Sequence, residues 1–186
     1  MTTAKSNETY STGLIRLHWI MALLMVAVYA TIEFREVFEK GSAPREALKS
    51  LHFMLGLSIL ALVAVRIFIR SRQAAPEIVP APHAMLHLGA KLGHAALYLF
   101  MICMPVAGWL ILSASGKPIP FFGLELPALI GPDKDLAGTL KEVHEVVGQF
   151  GYFLIGLHAV AALVHHYVFK DNTLALMKPS RGAGNA

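Results

Sequence analysis

Cysteine is nearly absent from this chain, and charged side chains are scarce. The single thiol, Cys103, excludes an intramolecular disulfide framework, a four-thiolate metal site and the Cys-x-x-Cys-His run that attaches a c-type haem. Charged residues make up 15% of the 186 residues, well below the roughly 25% of an ordinary soluble domain. A Walker motif, a GxGxxG loop and a serine nucleophile elbow are also missing, so we expect no nucleotide-binding or hydrolase chemistry and no nucleic-acid partner.

In place of these features the chain has four long uncharged runs, at residues 17–32, 50–65, 92–116 and 146–169. A membrane-crossing helix needs about 17–25 residues, and backbone groups in lipid must bond within their own segment. We therefore predict an all-α integral membrane protein, a four-transmembrane-helix bundle. It forms a single domain over residues 1–178, with a disordered tail at residues 179–186. The proline-rich third loop, IPFFGLELPALIGP, is too broken to span, and we expect it on the outer surface.

Basic residues predict the orientation of the bundle. The two ends of the chain and the second loop share one side and hold nine Lys and Arg residues, whereas the first and third loops hold seven. Positively charged loops favour the cytoplasmic side of a membrane. We therefore expect both termini in the cytoplasm, and we call that side the inner side and the opposite one the outer side.

Nine histidines are the unusual feature of the composition, because ionisable side chains inside a bilayer are costly and mark function by default. His144 and His158 lie fourteen residues apart on the fourth run. That spacing is roughly 21 Å along a helix, and it leaves the two rings on one face to within about 40°. Gly148 and Gly151 lie between them on the same stripe, where small residues leave room for a flat ligand or a close helix.

This arrangement predicts two haem irons, one near each surface, each held between two imidazoles of facing helices. Because imidazoles fill both axial positions of the iron, little room remains for oxygen to bind, and such a centre carries electrons. Depth alone pairs His52 with His144 at the outer surface. At the inner surface, depth favours His165 as the partner of His18. Depth does not decide whether His94 is a ligand or a hydrogen-bonding residue. A zinc or copper site fits less well, because the rings lie too far apart in depth to converge on one ion.

Four stretches of the sequence, in this order, resemble the bacterial cytochrome b561 family, small diheme membrane cytochromes whose better characterised members are superoxide oxidases. They are LHWIMALLMVAVYATIEFRE, SLHFMLGLSILALVAVRIFIR, KLGHAALYLFMICMPVAGWL and KEVHEVVGQFGYFLIGLHAVAALVHHYVFKDNTL. The resemblance implies that His18 and His158 ligate an inner haem b, and that His52 and His144 ligate an outer haem b. It also implies a bacterial inner-membrane enzyme that passes electrons from superoxide, or another small one-electron donor, through both haems to ubiquinone.

This function suggests roles for polar residues near the two surfaces. Superoxide is an anion, and Arg35 is the best candidate among the outer basic residues to steer it. His165 and His166, near the inner surface, are candidates for the quinone site. Arg66 and Arg70 are candidates for contacts with the haem propionates.

Two other functions stay open on the sequence. One is a cytochrome b electron-transfer subunit of a larger dehydrogenase or hydrogenase complex, although loops this short favour a stand-alone monomer or homodimer. The other is a four-helix membrane protein whose histidines serve packing, lipid contact or metal transport. A colourless purified chain would favour the latter.

Overall fold

The structure, a computed structural model, describes residues 9–178, so the disordered tail predicted at residues 179–186 lies outside the described part. Its main elements are four helices, α1 (Thr12–Phe34), α2 (Ala43–Ser71), α3 (Ala84–Ala114) and α4 (Lys134–Tyr167). Each is long and apolar enough to cross a membrane. The predicted four-helix membrane bundle is therefore confirmed.

The helices extend beyond the uncharged runs, because local capping groups and not the nearest charge set where a helix begins. The Ser11 side chain caps α1 by accepting a hydrogen bond from the amide of Leu14 at 3.4 Å. The carboxylate of Asp133 caps α4 by accepting one from the amide of Leu136 at 3.0 Å. His144 therefore lies ten residues inside α4, and not at its outer start as the sequence suggested.

The third loop contains a two-stranded antiparallel hairpin, which the sequence analysis missed. Strand β1 (Ile119–Phe121) pairs with β2 (Leu124–Leu126). The turn residues Phe122 and Gly123 have positive φ angles of 47° and 87°, as a type I′ turn requires. The hairpin packs on α2 and α3 through an apolar cluster of Leu57, Leu112 and Ile119. It therefore covers the outer ends of these helices.

The helices pack in chain order, and α4 stands apart from α1 and α2. Close backbone packing joins α1 to α2, α2 to α3 and α3 to α4, whereas within residues 9–178 no extensive backbone packing joins α4 to α1 or α2. In the inner half, Leu17, Met21 and Val63 form a second apolar cluster between α1 and α2. Large apolar side chains such as Leu23 and Phe153 are exposed on the bundle's surface, as a lipid-facing surface requires. Side chains of α1 and α2 reach α4, as the Tyr29 hydroxyl does in donating to the carbonyl oxygen of Gly148.

Candidate functional site

The outer half of the bundle brings His52 of α2 opposite His144 of α4. Their ring centroids lie 6.4 Å apart, with the ring planes inclined by 74°. Nδ1 of His52 lies 3.1 Å from the carbonyl oxygen of Val28 on α1. This nitrogen therefore donates, and Nε2 is left for another partner. Nδ1 of His144 is buried and has no hydrogen-bond partner within the described residues.

This geometry suits a metal held between two imidazoles. A ring nitrogen binds a first-row metal at about 2 Å, which sets the centroids of two rings on opposite sides of the metal about 6 Å apart. A metal-bound histidine usually donates its second N–H to a carbonyl or carboxylate, as His52 does to Val28. Gly108 lies beside His144, and an added Cβ at Gly56, one turn from His52, would meet nothing within 4 Å. The outer pair therefore fits the two axial ligands of a haem.

The inner half brings three imidazoles together. The ring centroids of His18 and His158 lie 6.2 Å apart, and those of His94 and His158 lie 5.4 Å apart. The first separation matches that of the outer pair, whereas the second is shorter than a metal between two rings requires. His18 and His158 are half-buried, and His94 is exposed. His18 and His158 are thus the inner pair that fits a haem, with His94 beside them.

The depth argument that favoured His165 as the partner of His18 is wrong. It placed the inner end of the helix at the nearest charged residue, but α1 begins at Thr12, so His18 lies six residues inside. His158 lies nine residues from the inner end of α4. The depths of the two rings therefore differ by three residues, about 4.5 Å at 1.5 Å per residue.

Aromatic side chains fill the bundle between the two histidine pairs. The hydroxyl of Tyr29 donates to the carbonyl oxygen of Gly148 at 2.7 Å, and the ring of Tyr152 lies 4.2 Å from that of Tyr29. Gly151 is buried, and a Cβ added there would collide with the Tyr29 hydroxyl and the ring of Phe100. The expectation of room for a flat ligand is therefore wrong at Gly151, where aromatic side chains from α1 and α3 occupy the space. At Gly148 an added Cβ would make only an ordinary contact with Met104.

On the outer side, Arg35 lines a cavity of about 440 Å³ together with four other basic residues. Nε of Arg35 lies 2.9 Å from the carboxylate of Glu36. Arg45 binds the same carboxylate at 3.0 Å and also donates to the carbonyls of Arg35 and Phe38, which fixes the turn after α1. Two further pairs at this cavity are Lys49 with Glu46 and Lys141 with Glu145. Because carboxylates offset most of these cations, any attraction of an anion is local to the cavity.

The two neighbouring histidines near the inner end of α4 have different surroundings. Nδ1 of His165 lies 2.5 Å from the carboxylate of Asp171, whereas the ring of His166 packs against Tyr167. Burial alone would raise the pKa of Asp171. Hydrogen bonds from His165 and from the amide of Thr173 outweigh it, so the pKa of Asp171 lies below its ordinary value. The sequence analysis missed Asp171, because it follows the last helix in a stretch without a periodic pattern.

Arg66 and Arg70, the candidates for propionate contacts, lie near the inner end of α2. Arg66 donates to the carbonyl oxygen of Leu14 at 3.0 Å and to the hydroxyl of Tyr98 at 3.2 Å. Arg70 donates to the carbonyl oxygen of Gln73 at 2.7 Å. A guanidinium has five N–H donors, so both retain donors for a further partner, and the propionate contacts stay a prediction.

Known proteins share both the length and the sequence of this chain. A family model described as prokaryotic cytochrome b561 matches residues 9–180. A Yersinia pestis protein named probable superoxide oxidase CybB is 42% identical over 178 residues, which cover 94% of this chain and 98% of the relative. Cytochrome b561 homolog 1 of Escherichia coli K12 is 37% identical over 172 residues, covering 92% and 98%. Homolog 2 of the same organism is 29% identical over 181 residues, covering 95% of each chain. With its four membrane-crossing helices, the chain therefore belongs to the prokaryotic cytochrome b561 family of membrane electron-transfer proteins, which bind b-type haem.

Proposed function

We propose that this chain is a superoxide oxidase, which oxidises superoxide at its outer side and reduces ubiquinone at its inner side. The observation that carries the proposal is the presence of two imidazole pairs, one in each half of the bundle, each pairing a ring of α4 with a ring of α1 or α2. Their ring centroids lie 6.4 and 6.2 Å apart. The name of the Yersinia pestis relative supports superoxide as the donor.

In this proposal His52 and His144 hold one haem b, and His18 and His158 hold the other. Two haems bound there supply one-electron carriers near the two surfaces of the membrane. A haem held between two histidines would pass electrons without binding dioxygen. The hydrogen bond from Tyr29 to Gly148 holds α1 at a fixed distance from α4 between the pairs.

The outer cavity lined by Arg35 is where we expect the anionic donor to arrive. Its local positive potential raises the encounter rate without tight binding. Each superoxide loses one electron and becomes dioxygen. Two superoxide anions are therefore consumed for each ubiquinone that takes up two electrons and two protons to become ubiquinol.

We place the protein in the bacterial inner membrane, with both ends of the chain in the cytoplasm. The excess of basic residues on the inner side supports this orientation. The hairpin of the third loop packs on the chain's own helices, which leaves little surface for docking a large partner subunit. We therefore favour a stand-alone enzyme, as a monomer or a homodimer.

The test begins with detergent-purified chain, whose haem is quantified against protein and whose reduced-minus-oxidised spectrum is recorded. We expect two low-spin b haems per chain. Superoxide generated by xanthine oxidase should then reduce decylubiquinone only when the chain is present, and added superoxide dismutase should abolish the reaction. A diheme chain that cannot do this by itself would contradict the proposal and favour the subunit of a larger complex.

A further inference from the structure

The hairpin of the third loop packs against a part of α2 that lies inside an uncharged run. The amide of Phe122 donates to Sδ of Met54 at 3.3 Å, and Ile119 packs in an apolar cluster with Leu57. Met54 and Leu57 lie four and seven residues inside the run at 50–65, which is about 6 and 10 Å at 1.5 Å per residue. The hairpin therefore lies beside α2 at a depth where hydrocarbon surrounds the helix.

The stretch that follows the hairpin is fixed to α3 at a similar depth. Nε1 of Trp109 donates to the carbonyl oxygen of Pro127 at 3.0 Å, and the amide of Leu129 donates to the hydroxyl of Ser113 at 3.1 Å. Trp109 lies seven residues before the end of the uncharged run at 92–116, about 10 Å along the helix. Separate contacts with α2 and α3 thus hold the loop at the level of the uncharged runs.

The hairpin exposes large apolar side chains. Phe122 and Leu124 are 63% and 66% exposed, and Leu129, just after the second strand, is 48% exposed. Large apolar side chains that are exposed together mark an interaction surface. This surface continues the lipid-facing surface of the bundle, because the residues on which the hairpin packs belong to the uncharged runs of α2 and α3.

The turn of the hairpin has an unusual residue for a position in water. A type I′ turn usually begins with Asn, Asp or Gly, because these residues tolerate a positive φ. Here the first turn residue is Phe122, with a φ of 47°. A bulky side chain in this conformation is sterically unfavourable, and exposing its ring to water is unfavourable as well. A phenylalanine at this position therefore indicates apolar surroundings.

The backbone of the hairpin also suits the lipid boundary, where unpaired N–H groups are costly. Pro120 lies directly opposite Glu125, next to the pair that closes the turn. The residues of such a second pair are not joined by hydrogen bonds, and their amides point to the edges of the hairpin. Proline has no N–H to leave unpaired, and the amide of Phe122 is bonded to Met54.

We propose that the hairpin is immersed in the outer leaflet of the bilayer, with Phe122 and Leu124 among the acyl chains and Glu125 at the level of the head groups. An ionised carboxylate is costly in hydrocarbon, so Glu125 limits how deep the hairpin lies. The occupant of the exposed surface is lipid, because its depth is that of the uncharged runs and its exposed side chains are apolar. This anchoring does not depend on which electron donor or acceptor the protein uses.

Spin labels measure the depth of the hairpin. A nitroxide is attached to Phe122→Cys or Leu124→Cys on a Cys103→Ser background, in diheme protein held at one chain per lipid nanodisc. Its collisions with oxygen, which concentrates in hydrocarbon, are compared with its collisions with a polar nickel chelate, which stays in water. Each value is a difference with and without the reagent, so relaxation by haem iron cancels. We expect the oxygen-to-nickel ratio at both positions to exceed that of a water-exposed position several-fold.

Two further labels calibrate the ratio. The native Cys103 is exposed near the middle of the run at 92–116 and is the lipid reference. Glu39→Cys, on the Cys103→Ser background, is exposed in the turn after α1 and is the water reference. Glu125→Cys should give a ratio between those of the hairpin tip and Glu39→Cys. Leu124→Cys lies outside the turn, so it decides the question if Phe122→Cys loses haem or fails to fold.

Three results would overturn the inference. A ratio in Phe122→Cys and Leu124→Cys equal to that in Glu39→Cys would mean that the hairpin stands in water. Few collisions with either reagent would mean that protein covers it. A loss of oxygen collisions in vesicles crowded with the chain, compared with single-chain discs, would assign the surface to a second copy. These results would leave the proposed function untouched, since haem content and quinone reduction test it separately.

Discussion

The outer half of the bundle offers two imidazoles to a haem, whereas the inner half offers three. In the outer half, the ring of His52 is oriented by the carbonyl of Val28, and His144 is the only histidine ring placed against it within the described residues. In the inner half, His158 lies close to both His18 and His94. Position alone predicts the outer pairing, whereas the inner pairing depends on whether His18 or His94 lies at the better distance from His158. The difference teaches that a histidine count does not define a ligand set until the helix ends are known.

The largest effect should come from removing an outer ligand. His52→Ala or His144→Ala leaves a haem iron with one protein ligand, and we expect each variant to retain one haem per chain in place of two. The measurement is a pyridine haemochrome assay against protein concentration, with His87→Ala as the control that keeps both haems. Two haems in both outer variants would remove these residues from the ligand set.

The three imidazoles of the inner half give the next prediction. His18→Ala should lose the inner haem, whereas His94→Ala should keep two haems and change only the spectrum and midpoint potential of the inner one, because a neighbouring imidazole tunes a haem that it does not ligate. Haem quantification combined with a redox titration checks both. The reverse pattern, with haem lost from His94→Ala and kept in His18→Ala, would reassign the inner ligand.

Gly151 tests whether the stability of the bundle depends on the packing of Tyr29 and Phe100 between the two histidine pairs. Gly151→Ala forces a Cβ into the Tyr29 hydroxyl and the Phe100 ring, so we expect a loss of about 1–3 kcal/mol of unfolding free energy, as for other overpacked interiors. Gly156→Ala is the matched control on the same helix, because an added Cβ there meets nothing within 4 Å. It should be neutral or stabilising by up to about 1 kcal/mol. Thermal unfolding followed at the Soret band compares them, and equal stabilities would contradict the packing argument.

Sequence reasoning reached the four helices and the outer histidine pair for a physical reason. Lipid imposes a minimum length of apolar helix, and His52 and His144, the predicted outer ligands, lie at similar depths from the same surface. The argument from depth failed on the inner pair, because Ser11 starts α1 earlier than the charge pattern suggests; His18 and His158 were named together only through the resemblance. Sequence reasoning also missed the hairpin turn at Phe122 and Gly123, which depends on backbone conformation in a short segment. The role of Tyr29 in connecting α1 to α4 could not be predicted either, because its hydrogen-bond partner Gly148 is distant in sequence.

At the inner end of the bundle, the carboxylate of Asp171 should make the stability of the protein depend on pH. The folded-state pKa of Asp171 is below its unfolded value. Its carboxylate therefore stabilises the protein above the unfolded pKa, and this contribution is lost as the pH falls through the folded pKa.

Asp171→Asn should accordingly cost about 1 kcal/mol near neutral pH, where a hydrogen bond to a charged group is lost. The stability gap from the wild type should close on acidification. Melting temperatures of the two proteins in the same detergent, measured from neutral to acidic pH, check this. The partners that face the carboxylate are the ring of His165 and the amide of Thr173. A gap that widens as the pH falls would mean that the carboxylate is not the stabilising partner. Another group would then have to hold the ring of His165 in place.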